Sequence, residues 1–253
     1  MLGAEGHRCL SSLRQGTGDA SFVVQIALQT CITRVAEVLV SAWKLGGKSG
    51  IATYVDGPST PSAVSLLINV HEAIFQNEPH AVSARWRKLT RRYIQTSPSP
   101  IDPAYFNTVC LQILEIISDV LRAAGLSIMP KDPALYGETA VAGKLKNIIQ
   151  ICLHLREYIG EHVSSSDFSL LCPRPGVEFN AQWMHDAYGG PGEDTNTKSD
   201  VLFITELGLR RREKVAKPTP GQHNAVEAVP IKAVVFLTTS ISELVGECDV
   251  VQK

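Results

Sequence analysis

The sequence predicts an α+β protein: an N-terminal α-helical bundle of about five helices, followed by a small β module with long loops. Three observations predict it. Apolar residues recur at helical spacing through the first two thirds of the chain, with capping residues and Pro or Gly stops between the runs. After Ser164-Ser165-Ser166 the pattern changes to short β-branched runs separated by Pro- and Gly-rich stretches. A length of 253 residues, 44% hydrophobic and 19% charged, allows a sizeable core without disulfides or metals. The boundaries expected are a flexible N-terminus over 1–18, a helical domain over 19–165, a β module over 166–240 and a tail over 241–253.

Asp19 or Ser21 can cap the first helix, and Leu28, Ile32, Val35, Leu39 and Trp43 form its apolar stripe before Gly46 and Gly47 stop it. The second starts at Thr60 with Pro61 at the first helical position, where a missing N–H is harmless. Val64, Leu67, Ile68, His71, Ile74 and Phe75 line it, and Pro79 ends it. The third carries Val82, Trp86, Leu89 and Tyr93 on one side. Ser97-Pro98-Ser99-Pro100 is a stiff linker, and phosphate on Ser97 or Ser99 would offset the charge of the basic helix beside it. Asp102 and Pro103 open the fourth helix, lined by Tyr105, Val109, Ile113, Ile116, Ile117 and Val120 and closed by Gly125. Val141, Leu145, Ile148, Cys152, Leu155 and Ile159 line the fifth, closed by Gly160. In the last third, Phe168 to Cys172 is a short apolar run, Val201 to Thr205 and Ile231 to Leu237 read as strands, and Arg210 to Asn224 is a polar stretch between them.

Composition narrows the function. Twenty-four basic against 25 acidic residues leave no global field to attract nucleic acid. No secretory signal and no long uncharged apolar run is read, so an intracellular, soluble protein, most simply cytoplasmic, is expected. The six scattered cysteines read as buried thiols in a reducing compartment, and without a Cys-x-x-Cys pair no metal or cofactor is implied. Ala42 to Ser49 fits a relaxed phosphate-loop pattern, but a helix precedes it and the required following helix is missing, so it reads as a helix end and loop. His154, Glu157 and Glu161 share a polar helix face that could bind a metal or form solvated ion pairs. His71 reads as a hydrogen-bonded core histidine.

Arg85, Arg87, Lys88, Arg91 and Arg92 place five cations in eight residues, opposite the Val82/Trp86/Leu89/Tyr93 stripe. Such a helix is either the solvated face of a bundle helix or a site for an anionic membrane surface, an acidic partner or a nucleic-acid backbone. Arg210, Arg211, Arg212 and Lys214 read as a solvated edge that resists aggregation. His185 and Asp186 beside Trp183 suit either a contact loop or a plug for the module's own core.

The order of motifs in the β module carries a resemblance. Pro175-Gly176-x-x-Phe179-Asn180 is followed by Met184-His185-Asp186-Ala187, then the strand from Asp200 to Leu209, then Pro230 to Val235. This resembles the C-terminal β wing of GrpE-type nucleotide exchange factors, with Asn180 for the family's Asp, Ala181 for its Pro and Met184 for its His. The family's long dimerising helix has no counterpart here. The resemblance implies contact with the ATPase domain of a chaperone through Phe179, Asn180, Trp183, Met184, His185, Arg210 and Arg211. The favoured expectation is therefore a non-enzymatic interaction or regulatory protein, which the resemblance makes a co-chaperone. The alternatives are an adaptor for anionic surfaces through the helix at 82–94 and an enzyme without a readable motif.

Overall fold

The structure, a computed structural model, describes residues 1–12, 20–45, 63–94, 103–126, 140–186, 199–215 and 225–240. Its helices are α1 (Gly3–Ser12), α2 (Ala20–Ser41), α3 (Ala63–Asn77), α4 (His80–Ile94), α5 (Pro103–Ala123) and α6 (Ala140–Glu157), the last running on into a π turn, Tyr158–His162. Among the described residues six strands follow: β1 (Asp167–Leu171), β2 (Met184–Asp186), β3 (Val201–Glu206), β4 (Gly208–Lys214), β5 (Ala225–Ile231) and β6 (Ala233–Leu237). They form two three-stranded sheets, an antiparallel β1-β4-β5 and a mixed β2-β6-β3 in which β2 runs parallel to β6. The α+β class is as expected.

The long apolar α2 organises the core. Its C-terminal half, Val35, Leu39 and Val40, packs on Phe106, Val109 and Ile113 of α5 and on Leu145, Ile149 and Cys152 of α6. Its N-terminal half, Val23, Val24, Ala27 and Cys31, packs on Leu2 and Leu10 at α1, on Leu202 and Phe203 of β3 and on Phe236 of β6. A third cluster, Met184, Val201, Val235 and Leu237, fills the second sheet. Helices and strands therefore share one interior, and the boundary expected at 165/166 is no break in packing. By length and composition α2 (over Ser21–Ser41) and α5 (over Ala104–Ala123) could also cross a membrane, a possibility the sequence had not shown. Here α2 is enclosed, and its buried Arg34 donates to the carbonyls of Cys172 (2.9 Å) and Pro173.

Two boundaries depart from expectation. The N-terminus, expected to be flexible, forms α1 over 3–12, anchored by buried Leu2, Cys9 and Leu10. Its glycines hide it from a propensity argument, and Gly6 sits close to its neighbours: a Cβ there would lie 3.0 Å from the Phe203 ring. The polar stretch from Arg210 is not a loop leaving an edge. It is β4, the central strand of the first sheet, with Arg212 opposite Asp167 on one side and Glu227 on the other. Opposite charges directly across the ladder support a strand that few residues of this kind would form alone.

Other ends agree. α3 ends at Asn77 before Pro79, and α5 starts at Pro103 and closes at Gly125 (φ +81°) with Leu126 N donating to Leu121 O. Cys9, Cys31, Cys110 and Cys152 are buried and outside any disulfide, and Cys172 is partly buried. Gly46 and Gly47, Thr60-Pro61, the Ser97–Pro100 linker, Asp102, the tail and Cys248 lie outside the described residues.

Candidate functional site

α3 and α4, joined by the turn at Glu78 and Pro79, pack against each other. On α4 the face turned to the protein is Ser83, Ala84, Arg87 and Arg91, all buried. The stripe expected in the core is outside: Val82 is exposed, Leu89 is 41% exposed and Tyr93 76%, and Trp86 is half-buried. α4 is thus turned nearly half a rotation from its expected orientation. Arg87 and Arg91, proposed for an external anionic partner, are 3% and 7% exposed and unavailable to one. Arg85 and Arg92 remain exposed and Lys88 is half-buried, while Arg92 Nε stands 3.5 Å from Glu161.

The inversion has a local cause. Arg87 forms an ion pair with Asp167 at the start of β1 and donates from Nη2 to Val163 O (2.6 Å). Arg212 of β4 bonds the second Asp167 oxygen (2.8 Å) and grips both oxygens of Glu72 on α3 (3.0 and 2.9 Å). The same guanidinium lies 4.4 Å over the Phe75 ring. Lys214, two residues along the same strand face, donates to the carbonyls of Gln76 and Glu78 at the C-terminus of α3. Arg212 and Lys214 therefore bind the hairpin to the sheet, and the solvated-edge expectation is corrected for these two. Arg210 and Arg211 stay near the surface, beside Glu227 (3.8 Å) and Glu213 (3.3 Å).

Arg91 lies 5.2 Å over the Trp43 ring and reaches Arg156 O at 3.5 Å. Arg156 donates to the carbonyls of Ala42 (2.7 Å) and Trp43 (2.8 Å), where α2 ends. Gly160 makes this packing possible, because a Cβ there would meet Arg91 at 2.5 Å. Gly160 is thus a contact inside the π turn, not the helix stop expected. His71, buried as expected, stacks on Trp86 (5.9 Å) and meets Trp43 edge-on (5.5 Å), with its Nε2 free of hydrogen bonds.

Electrostatics follow the packing. Burial alone would push Asp167 up, but the charge of Arg87 and the hydrogen bond from Arg212 outweigh it and hold the carboxyl below its ordinary value. The Arg212 hydrogen bond likewise lowers Glu72. Burial, then the charges of Arg156 and Arg87, pull Arg91 down to about 9. Burial lowers His71.

The second candidate region is the loop before β2. Gly176 N donates to Val201 O and Phe179 N to Ser199 O, so the segment is laced along β3. Asn180 closes a turn by accepting from Gln182 N on its side chain and from Met184 N on its carbonyl. Phe179 and Trp183 pack against the Met184 cluster, which favours the core-plug alternative for the aromatics. Met184 is fully buried and offers no contact to a partner, correcting its assignment, whereas Asn180 and His185 are exposed. Arg210 and Arg211 belong to the other sheet, so the proposed set does not gather on one sheet. His154 and Glu157 are exposed, and Glu157 and Glu161 pair with His162 and Arg92. Among the described residues no group of three His, Cys, Asp or Glu could hold a metal ion. The phosphate-loop pattern follows the end of α2, and its glycines lie outside the described residues.

Asp167, Glu72, Arg156 and Arg212 were missed as a set. The available signal was the pairing of a carboxylate opening an apolar run with arginine-rich segments elsewhere, which a helical wheel cannot join. Comparison with protein-family models, with curated proteins and with solved structures gave no match.

Proposed function

We propose that this is a non-catalytic interaction protein whose contact surface is the outer face of the α3–α4 hairpin. One observation carries the proposal: α4 keeps Arg87 and Arg91 inside and leaves Val82, Leu89 and Tyr93 outside. Buried arginine is costly unless paired, so the Asp167 and Trp43 contacts are what hold the apolar line outward. Apolar residues gathered at the surface beside charged ones characterise contact sites. A photo-crosslinking residue at position 89 should give a discrete, saturable product that Tyr93→Asp removes, while the same residue at exposed position 115 on α5 should not. Equal labelling at both positions would contradict the proposal.

A second reading uses the loop before β2. Its hydrogen bonds fix the turn at Asn180, and Asn180 and His185 are both exposed, which supports contact with the ATPase domain of a chaperone, as the GrpE likeness implies. Accelerated nucleotide release from such an ATPase, lost on Asn180→Lys with His185→Glu, is the expected result. These positions leave the Met184 packing untouched, so unchanged or absent acceleration counts against this reading.

A further inference from the structure

We infer that the outer face of the α3–α4 hairpin lies on an anionic lipid surface, an inference that rests on that face being the contact surface. The shape is the first argument. α3 exposes Leu66 and Val70, one helical turn apart, with Ile68 exposed off that line, and α4 exposes Val82, Leu89 and Tyr93 at a spacing of seven and four. The two packed helices each expose an apolar line. A membrane interface accepts such a face, with side chains entering the boundary between headgroups and acyl chains.

Charge is the second argument. α4 holds five cations and no carboxylate. With Arg87 and Arg91 turned inward, Arg85 and Arg92 stand exposed, Arg92 with its Nε 3.5 Å from Glu161, and Lys88 is half-exposed. On α3 the one carboxylate, Glu72, is gripped by Arg212, and the remaining acid of the hairpin, Glu78, sits in the turn. An apolar line bordered by arginines, with an exposed tyrosine at its end, matches phosphate headgroups over acyl chains. Arginine snorkels from that depth and tyrosine settles at the headgroup level.

Co-sedimentation with phosphatidylcholine vesicles, with and without phosphatidylserine, tests this. Binding is expected to the phosphatidylserine vesicles alone and should weaken as salt is raised. Each arginine near an anionic surface contributes about fivefold, so Arg85→Glu with Arg92→Glu should weaken binding by roughly 25-fold or more. Leu89→Glu with Tyr93→Glu should abolish it. The salt dependence of the unaltered protein is independent of whether any variant folds. No binding to phosphatidylserine vesicles, or binding indifferent to salt and to both pairs, overturns the inference. Concentration-dependent self-association that Leu89→Glu removes would also overturn it, while keeping the face as a contact surface. Crosslinking at position 89 no different from position 115 would defeat both.

Discussion

Asp167→Asn leaves Arg87 in the interior with no carboxylate. The change keeps the shape of the side chain, so the loss measures charge. Asp167 and Arg87 are 7% and 3% exposed, and Arg212 retains Glu72 after the change. Breaking a buried pair on one side costs about 3–5 kcal/mol, and an amide that still accepts one hydrogen bond places this variant near 3 kcal/mol. In a chain of this size that corresponds to a fall in Tm of roughly 6–12 °C. Urea unfolding followed by far-ultraviolet circular dichroism should show a lower midpoint with an unchanged slope. The double variant Arg87→Met with Asp167→Leu should recover much of the loss, because neither charge is then left buried. A cost for Asp167→Asn below about 1 kcal/mol, the size of a solvated surface pair, would refute the reasoning and return Arg87 to water.

Further outcomes follow from the same cluster and its neighbours. His71 is held below its unfolded pKa of about 6.5, so the unfolded chain takes up a proton first and stability falls as pH drops through about 6.5. Asp167 is also held low, so its contribution is present above its unfolded pKa of about 3.9 and is lost below it. Urea midpoints against pH should show both declines, and His71→Phe should remove only the upper one. Gly160→Ala forces a Cβ to 2.5 Å from the Arg91 guanidinium and should cost about 1–3 kcal/mol, a cost that shrinks in an Arg91→Ala background. Burial pushes the Cys172 thiol up to about 12, so alkylation of Cys172 at pH 8, read by mass spectrometry, should be far slower in the folded protein than in urea.

The sequence showed the helices well where caps and periodicity agree. Pro79, Pro103 and Gly125 mark real ends because each acts through local backbone chemistry. It failed where a distant residue decides. Arg210 to Lys214 has poor strand chemistry alone and forms β4 because Asp167 and Glu227 stand across the ladder. α1 carries two glycines and holds through Leu2 and Leu10 against α2 and β3. α4 shows the limit most plainly. Its wheel separates an apolar from a basic half correctly, but not which half faces inward. Three contacts from far along the chain settle that: Asp167 for Arg87, and Trp43 and Gly160 for Arg91. The loop aromatics Phe179 and Trp183, expected at a partner contact or as a plug, pack against the Met184 cluster, a long-range contact that no local pattern shows.

The inverted orientation of α4 underlies both proposals, and one pair of variants tests it directly. Urea unfolding of Leu89→Glu and Arg87→Glu should give opposite results from a conventional amphipathic helix. The inverted helix predicts that Leu89→Glu costs less than about 1 kcal/mol, as surface changes do. It also predicts that Arg87→Glu, placing a second carboxylate beside buried Asp167, costs more than about 3 kcal/mol. A tolerant position 87 with a loss of several kcal/mol at position 89 would contradict the inversion, and the contact face built on it.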